Sequence, residues 1–284
     1  MSDAVSFASF AVASSGSSFS PAPSSFPVVR SLRVFADGQE IAQSCRIRLA
    51  LMESMSLLPA LYSLEIENLS EASEALLSAA SVVEVHSDGT IAAHGSSILA
   101  SGSVLSVFPR IQSGRRILSV SFSPGMALWQ SAVSLSLTGG MRVSDTIRAI
   151  LAASGTGIQL SGFLAEDRSL SRPQAFFGRA CDALRLLAES VRARICLTPA
   201  GLCVVDPSLQ SPTLFLPEDA LRSDPVFLPG RCVLSTEAAG WPLGTCLRFS
   251  WKGSSHQGLL SARMLNLDNE DGPWQSQLEV TIFS

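Results

Sequence analysis

Short runs in which apolar and polar residues alternate dominate the chain and predict a mainly β protein. Val28–Phe35 alternates and stops at Ala36-Asp37-Gly38, where the Asp-Gly pair is typical of a tight turn. Val82–His86 and Thr90–His94 flank Ser87-Asp88-Gly89 and predict a hairpin. Further strands are predicted at Cys45–Leu51, Leu61–Glu67, Ile98–Phe108 and Arg116–Phe122. We expect this section to form an antiparallel barrel or a strongly bent sheet.

Three segments carry helical signals. Asn68-Leu69-Ser70 predicts an N-cap for a short helix at Glu71–Ala79. A second helix is predicted from the apolar positions 143, 147, 150 and 151, with Ser144 as its N-cap and Gly155 as its stop. A third is predicted from Pro173, because proline suits the first turn of a helix. Its apolar positions are Phe176, Phe177, Ala180, Leu184, Leu187 and Val191.

The carboxyl-terminal part returns to β patterns. A hairpin is predicted at Ala193–Thr198 and Gly201–Asp206, and an antiparallel meander at Arg231–Ser235, Thr245–Trp251, Gly258–Leu267 and Trp274–Phe283. The changes in pattern divide the chain into four parts. These are an amino-terminal arm (1–27), a first β-barrel-like domain (28–130), a small α+β insertion (131–210) and a second β-barrel-like section (211–284).

The composition indicates a subunit of a larger assembly. Of 284 residues, 46% are hydrophobic and only 15% are charged, against about 25% charged in ordinary domains. Such a surface is expected to be covered by partners. The net charge of -4 gives no reason to expect tight nucleic-acid binding. Since no run of about 20 apolar residues occurs, we expect no membrane insertion.

The amino-terminal arm is rich in Ser, Ala and Phe. It has no basic start, and serines interrupt any apolar core of a signal peptide, so a cleaved leader is not favoured. We expect the arm to be mobile in the isolated protein and to dock on a neighbouring subunit, anchored by Phe7, Phe10, Phe19 and Phe26.

The six cysteines contain no C-x-x-C pair, so neither a zinc site nor a disulfide scaffold is predicted. Cys196 and Cys203 flank Pro199-Ala200-Gly201. A three-residue turn there would place Cys196 opposite Val204 and Cys203 opposite Leu197, and the two sulfurs would point to opposite faces. We therefore expect buried, reduced thiols.

The titratable residues do not form a catalytic pattern. With the predicted turn at 87–89, His86 lies opposite Thr90 and about 13 Å from His94, and His256 falls in a Gly/Ser-rich turn that faces solvent. Glu166/Asp167 and Glu270/Asp271 are neighbours in sequence, whereas glycoside hydrolysis needs a facing pair. The acidic run 268–271 lacks the ligand spacing of an EF-hand. We expect no enzyme, metal or cofactor.

Three tryptophans leave one alternative open. Trp241, Trp251 and Trp274 could stack on sugars, as in a carbohydrate-binding β module of a tail tip or cell surface. Their alternation within predicted strands favours packing in a core or an interface. A peptidoglycan hydrolase is a more remote alternative, because no catalytic cluster is present in the pattern.

The order of the elements resembles one known family. Three stretches carry the resemblance: Leu64–Ser70, Ser134–Asp145 with the helix that ends at Gly155, and the carboxyl-terminal pair Gly240–Gly244 and Asp268–Ser276. Together they are similar to the hub family of tail baseplates, which includes the Mu-type hub, the late-control protein D group and the hub portion of type VI secretion spikes.

The resemblance implies a homotrimer in which two antiparallel β-barrel-like tube domains per subunit form a ring around the tail channel. It implies contacts with the tail tube or a distal tail protein and with a spike or tip protein, and possible contact with a tape-measure protein. DNA would pass without specific binding. The location would be the virion baseplate, after assembly in the host cytoplasm. We single out five structural positions: Trp129, Trp241, Gly244, Gly272 and Trp274.

Overall fold

The protein is mainly β, as predicted. The structure, a computed structural model, describes residues 30–42, 44–88, 98–207, 213–237 and 240–283. The predicted arm, including Phe7, Phe10, Phe19 and Phe26, lies outside these ranges, as do Thr90–His94 of the predicted hairpin.

The first β section contains seven strands and one helix. In chain order they are β1 Ser31–Ala36, β2 Gln39–Glu40, β3 Arg46–Ser54, β4 Tyr62–Glu67, α1 Glu71–Ala79, β5 Val82–Asp88, β6 Ile98–Gln112 and β7 Arg115–Ser123. Helix α1 has the predicted bounds, and the Ser70 hydroxyl accepts a hydrogen bond from the Ser73 N–H at 3.2 Å. Alternate residues of β1, β3 and β4 are buried in one core cluster, so the period-two pattern did mark the inner face.

The predicted turn at Ser87-Asp88-Gly89 is wrong for its first two residues. Strand β5 continues through Asp88, and His86 pairs with Ile98 rather than with Thr90. The reason lies in the neighbouring strand, because Ser87 pairs with Leu32 of β1 and is buried. Pairing on both sides keeps β5 extended through a sequence that would otherwise favour a turn.

The middle section combines helices with two small sheets. Its elements are α2 Met126–Gln130, β8 Ala132–Leu137, α3 Val143–Ser154, β9 Leu160–Leu164, β10 Gln174–Arg179, α4 Ala180–Ser190, β11 Arg194–Thr198 and β12 Gly201–Val205. Gly155 ends α3 with φ 65°, as predicted. Ser144 is not the N-cap, because it lies inside α3. Instead the Asp167 carboxylate caps the helix by accepting hydrogen bonds from the Ser144 N–H (3.0 Å) and hydroxyl (2.8 Å).

The helix predicted from Pro173 is also wrong in its first part. Gln174–Arg179 is strand β10, which pairs with β8, and α4 begins only at Ala180. Phe176 is buried, whereas Phe177 is 92% exposed, as expected for neighbours on opposite faces of a strand. Pairing with β8 therefore overrides a spacing that also fits a helix.

The turn between β11 and β12 contains two residues, not three. Thr198 pairs with Gly201, whose φ of 125° suits glycine, and Cys196 lies directly opposite Cys203. The prediction that the two sulfurs diverge is wrong, because one residue less in the turn changes which residues face each other. All six cysteines lie among the described residues, where none is joined in a disulfide bond; Cys45 and Cys203 are only partly buried, whereas the other four are buried.

The last section contains β13 Thr213–Leu216, a 3-10 turn at Glu218–Ala220, β14 Val226–Leu228, β15 Arg231–Glu237, β16 Cys246–Trp251, β17 Ser254–Asp268 and β18 Trp274–Ile282. All four predicted strands are present. The meander holds for β16, β17 and β18, but β15 pairs with the far edge of β18 instead of with β16.

One sheet of 13 strands connects the first and last sections, in the order β14-β15-β18-β17-β3-β4-β7-β6-β5-β1-β2, with β16 and β13 branching from β17. Strand β17 makes the connection, because residues 254–259 pair with β16 and residues 262–268 pair with β3. The two barrel-like domains and the division of the chain into four parts stay predictions.

Candidate assembly surfaces

A network of arginines and carboxylates fixes the turn between β17 and β18. Asp268 is 1% exposed, and its carboxylate accepts hydrogen bonds from Arg46 (2.7 Å) and Arg48 (3.0 Å). The Glu270 N–H also donates to it, at 3.0 Å. Although burial opposes ionisation, these three donors hold the pKa of Asp268 below its ordinary value. The Asp268 carboxylate of the acidic turn is thus occupied by arginine and backbone donors.

A second ion pair is buried where the two β sections meet. Arg263 of β17 donates from Nε to Glu53 of β3 at 2.6 Å, and Tyr62 donates to the other Glu53 oxygen at 2.5 Å. Arg263 also donates to the Trp241 carbonyl oxygen at 2.9 Å. Burial, and next the Glu53 charge, raise the pKa of Tyr62 far above its ordinary value. Both Glu53 carboxylate oxygens accept a hydrogen bond, so the cluster ties strand β17 to β3.

Two of the predicted positions, Gly272 and Trp274, lie in or directly after the turn that holds Asp268. Trp274 is 2% exposed and packs in the first core cluster. Gly272 approaches Asp268 so closely that a Cβ at this position would overlap the carboxylate. A side chain at 272 would therefore displace Asp268 from its arginine partners.

The other three positions lie where sections meet. Gly244 has φ 84°, and a Cβ there would lie 2.8 Å from Cγ2 of Val205 in β12. The Trp129 indole N–H donates to the Leu57 carbonyl oxygen. Trp241 packs against a different core cluster from Trp274, so these two rings do not form one sugar-binding platform.

The two described histidines, His86 and His256, both pack against aromatic rings. His86 Nε2 lies 3.1 Å from Glu84, and its ring centroid is 4.4 Å from that of Phe35. His256 is not in a solvent-facing turn, because it belongs to β17 and stacks on Phe249 with ring centroids 5.2 Å apart. His94 is outside the described ranges.

The other carboxylate pairs singled out in the sequence also contact arginines. Glu270 and Asp271 both pair with Arg46, and Glu166 pairs with Arg168. In the part of the chain that the structure describes, no group of three or more His, Cys, Asp and Glu side chains is placed to hold a metal ion. None of the described helices has the length and apolar character needed to cross a membrane.

Two apolar surfaces were not predicted from the sequence. Strand β14 lies at the end of the large sheet and exposes Val226 (55%), Phe227 and Leu228. The hairpin formed by β6 and β7 exposes Phe108 and Ile111, the latter to 82%. Pro109 within β6 was the available signal, because proline in a strand indicates an edge or a bulge.

A slot of about 160 Å³ opens on the outer face of the sheet beside the Glu53–Arg263 pair. Its walls come from β3, β17, β18 and β15 and from the segment after β3. Apolar side chains that line it include Met52, Leu58, Val233 and Met264. Met52 and Leu58 are each about half exposed. Burial of this face therefore requires another chain or another segment.

The overall fold has well-defined structural neighbours. The tail protein from Neisseria meningitidis MC58 matches with a TM-score of 0.64 and 19% identity, over 88% of this chain and 95% of that one. The 43 kDa tail protein of prophage MuSo2 from Shewanella oneidensis matches with a TM-score of 0.63 and 11% identity, over 88% and 97%. The chain has the fold of phage tail proteins.

The tail-protein fold extends to a secretion component. An Escherichia coli protein of the type VI secretion system, described as structurally similar to the bacteriophage T4 tail proteins gp27 and gp5, matches with a TM-score of 0.58 and 10% identity. The match covers 88% of this chain and 77% of that one. The resemblance predicted from the sequence is confirmed in these neighbours. The sequence itself matches no family model and no curated protein.

Proposed function

We propose that this chain is a structural, non-enzymatic subunit of a phage-type tail baseplate. In this proposal it is the hub, a homotrimer that forms a ring around the channel between the tail tube or a distal tail protein and the spike or tip protein. The observation that carries the proposal is the match to whole tail proteins, because 88% of this chain aligns with at least 95% of two of them. The carbohydrate-binding alternative loses support, since Trp274 is buried.

The surfaces support a role in assembly. Among the described strands, β14 pairs with β15 alone and ends the 13-stranded sheet, so it offers a free strand edge and three exposed apolar side chains. Proteins that remain monomeric usually protect such an edge with charges, prolines or a covering segment. A neighbouring subunit that adds a strand to β14 would satisfy the backbone and bury the side chains.

Val226→Lys tests whether the β14 edge is a subunit contact. Lysine on an edge strand opposes pairing with another strand, so we expect the dissociation constant of the trimer to rise about tenfold, equivalent to about 1.4 kcal/mol. Sedimentation equilibrium over a concentration series measures this dissociation constant. Leu186→Lys is the matched control, since Leu186 is similarly exposed but lies on α4. Equal trimer affinity of the Val226 variant and the wild type would remove β14 from the interface.

Deletion of residues 2–20 tests the predicted role of the arm. Docking of Phe7, Phe10 and Phe19 on a neighbour should contribute about 1.5–3 kcal/mol for each buried ring before the cost of ordering is subtracted. We expect the melting temperature of the isolated chain to stay the same and assembly to weaken. Calorimetry of the monomer and sedimentation of the assembly measure the two effects. Unfolding of the isolated deletion variant would place the arm in the core.

The baseplate proposal has a direct test in the particle. An antibody fragment against this chain should label the tip end of purified tails in electron micrographs, and tails from a deletion strain should lack the tip. Labelling along the tube or on the capsid, or normal tails without the chain, would contradict the proposal. Binding of the purified chain to a glycan array would favour the carbohydrate-binding alternative.

A further inference from the structure

The hairpin β11–β12 brings two free thiols together. Cys196 and Cys203 are direct cross-strand partners. Partners in an antiparallel pair have Cα atoms about 4.5–5.5 Å apart, which lies inside the range of about 4.4–6.8 Å found across disulfide bonds. The backbone of the hairpin therefore already has a separation that a disulfide accepts.

The side chains are arranged for the same contact. The two residues point to one face of the small sheet, where Cys196 is fully buried and Cys203 is half-buried. Space for the Cys203 sulfur comes from β9, because its partner there is Gly162, and a Cβ at 162 would lie 3.0 Å from that sulfur. A hydrogen bond from the Cys196 thiol lowers the pKa of Cys203, and the same contact, followed by burial, raises the pKa of Cys196.

The position of the pair gives a disulfide a structural consequence. The sheet β9-β12-β11 separates two cores, since Ile195 and Val204 pack with the helices while Cys196 and Val205 pack with the last β section. Both sulfurs belong to the second face. A covalent bond between them would fix β11 to β12 where the α+β part contacts the large sheet.

We propose that Cys196 and Cys203 form an oxidisable dithiol that closes to an intrachain disulfide by exchange with a low-molecular-weight disulfide such as oxidised glutathione. The Cys203 thiolate attacks one sulfur of oxidised glutathione, which forms a mixed disulfide and releases one glutathione thiolate. That thiolate takes up the proton of the Cys196 thiol. Cys196 then attacks the Cys203 sulfur and releases the second glutathione, which takes up the proton lost by Cys203. One disulfide is thus reduced for each one formed. The proposal is independent of the tail function.

Thiol counting on the full chain tests the proposal. After incubation with oxidised glutathione and denaturation, the number of free thiols should fall by two from the six of the reduced chain. Both cysteines lie within residues 195–222, which trypsin releases as one peptide. The mass of this peptide should decrease by two hydrogen atoms. Amide exchange of β11 and β12 should slow in the oxidised protein.

Two variants make the result specific. Cys203→Ser should lose no thiol to an intrachain disulfide, whereas Cys232→Ser should still lose two, because Cys232 is buried opposite Val280 rather than another cysteine. A second experiment refolds the unfolded chain in oxidised glutathione. Every thiol is exposed in the unfolded chain, so poor access of the reagent cannot explain a failure to form the disulfide. If the refolded protein keeps all its thiols, carries a lasting glutathione adduct on Cys203 or joins another pair of cysteines, the proposal is wrong.

Discussion

We expect Arg263→Met to lower the free energy of unfolding by about 3–5 kcal/mol, the usual cost of leaving one charge of a buried ion pair without its partner. Arg263 and Glu53 are 5% and 7% exposed, and the arginine also supplies the hydrogen bond to the Trp241 carbonyl oxygen. Its removal leaves the Glu53 carboxylate with Tyr62 as its remaining hydrogen-bond donor. Urea unfolding at neutral pH, followed by tryptophan fluorescence, measures the change.

The double variant Glu53→Leu/Arg263→Met separates the penalty of an unpaired charge from the loss of packing. Two apolar side chains of similar volume often replace a buried ion pair at little cost, so the double variant should recover most of the lost stability. Arg248→Met on the neighbouring strand β16 is the control, because Arg248 is exposed and should change stability by about 0.5 kcal/mol or less. A single Arg263 variant as stable as the wild type would show that the pair does not stabilise the contact between β3 and β17.

We expect Asp268→Asn to destabilise the protein by about 3 kcal/mol at neutral pH, because Arg46 and Arg48 lose a buried carboxylate. The folded-state pKa of Asp268 lies below its ordinary value, so the Asp268 carboxyl group binds fewer protons on average in the folded state than in the unfolded state. This contribution is present above the unfolded pKa of about 3.9 and is lost as the pH falls through the lower folded pKa.

The pH dependence distinguishes Asp268 from a surface carboxylate. Urea unfolding from pH 7 to pH 3 should show a difference between wild type and Asp268→Asn that shrinks towards the acid end. Asp145→Asn is the control, since Asp145 pairs with Arg148 on the exposed side of α3 and should change stability by less than about 1 kcal/mol. A difference between wild type and the Asp268 variant that stays constant over this range would contradict the ion-pair explanation.

The sequence predicted the elements whose signals are local. The N-cap signal at Asn68-Leu69-Ser70 marked α1, and alternation marked the strands of the large sheet. Errors occurred where pairing between distant segments decides the structure. Strand β8 holds Gln174–Arg179 extended, and β1 holds β5 extended beyond its turn signal. Whether Cys196 faces Cys203 depends on whether the turn between them has two or three residues, and the composition of the turn does not determine its length.

The candidate surfaces were less predictable than the fold. Glu53 and Arg263 are 210 positions apart, and no pattern in either segment indicates that they meet. Val226 and Phe227 are exposed because β14 lies at the end of the sheet. The sequence does not indicate this, since three consecutive apolar residues are equally typical of a buried strand. Asp268 and Gly272, by contrast, belong to the carboxyl-terminal stretch that carried the family resemblance.

The mass of the full chain in solution, with and without its neighbouring tail proteins, tests the hub proposal most directly. Light scattering or native mass spectrometry should give three times the 30.0 kDa of one chain, either alone or when a tube-side or tip-side partner is present. A stable monomer at high concentration that also fails to form a trimer with either partner would contradict the account.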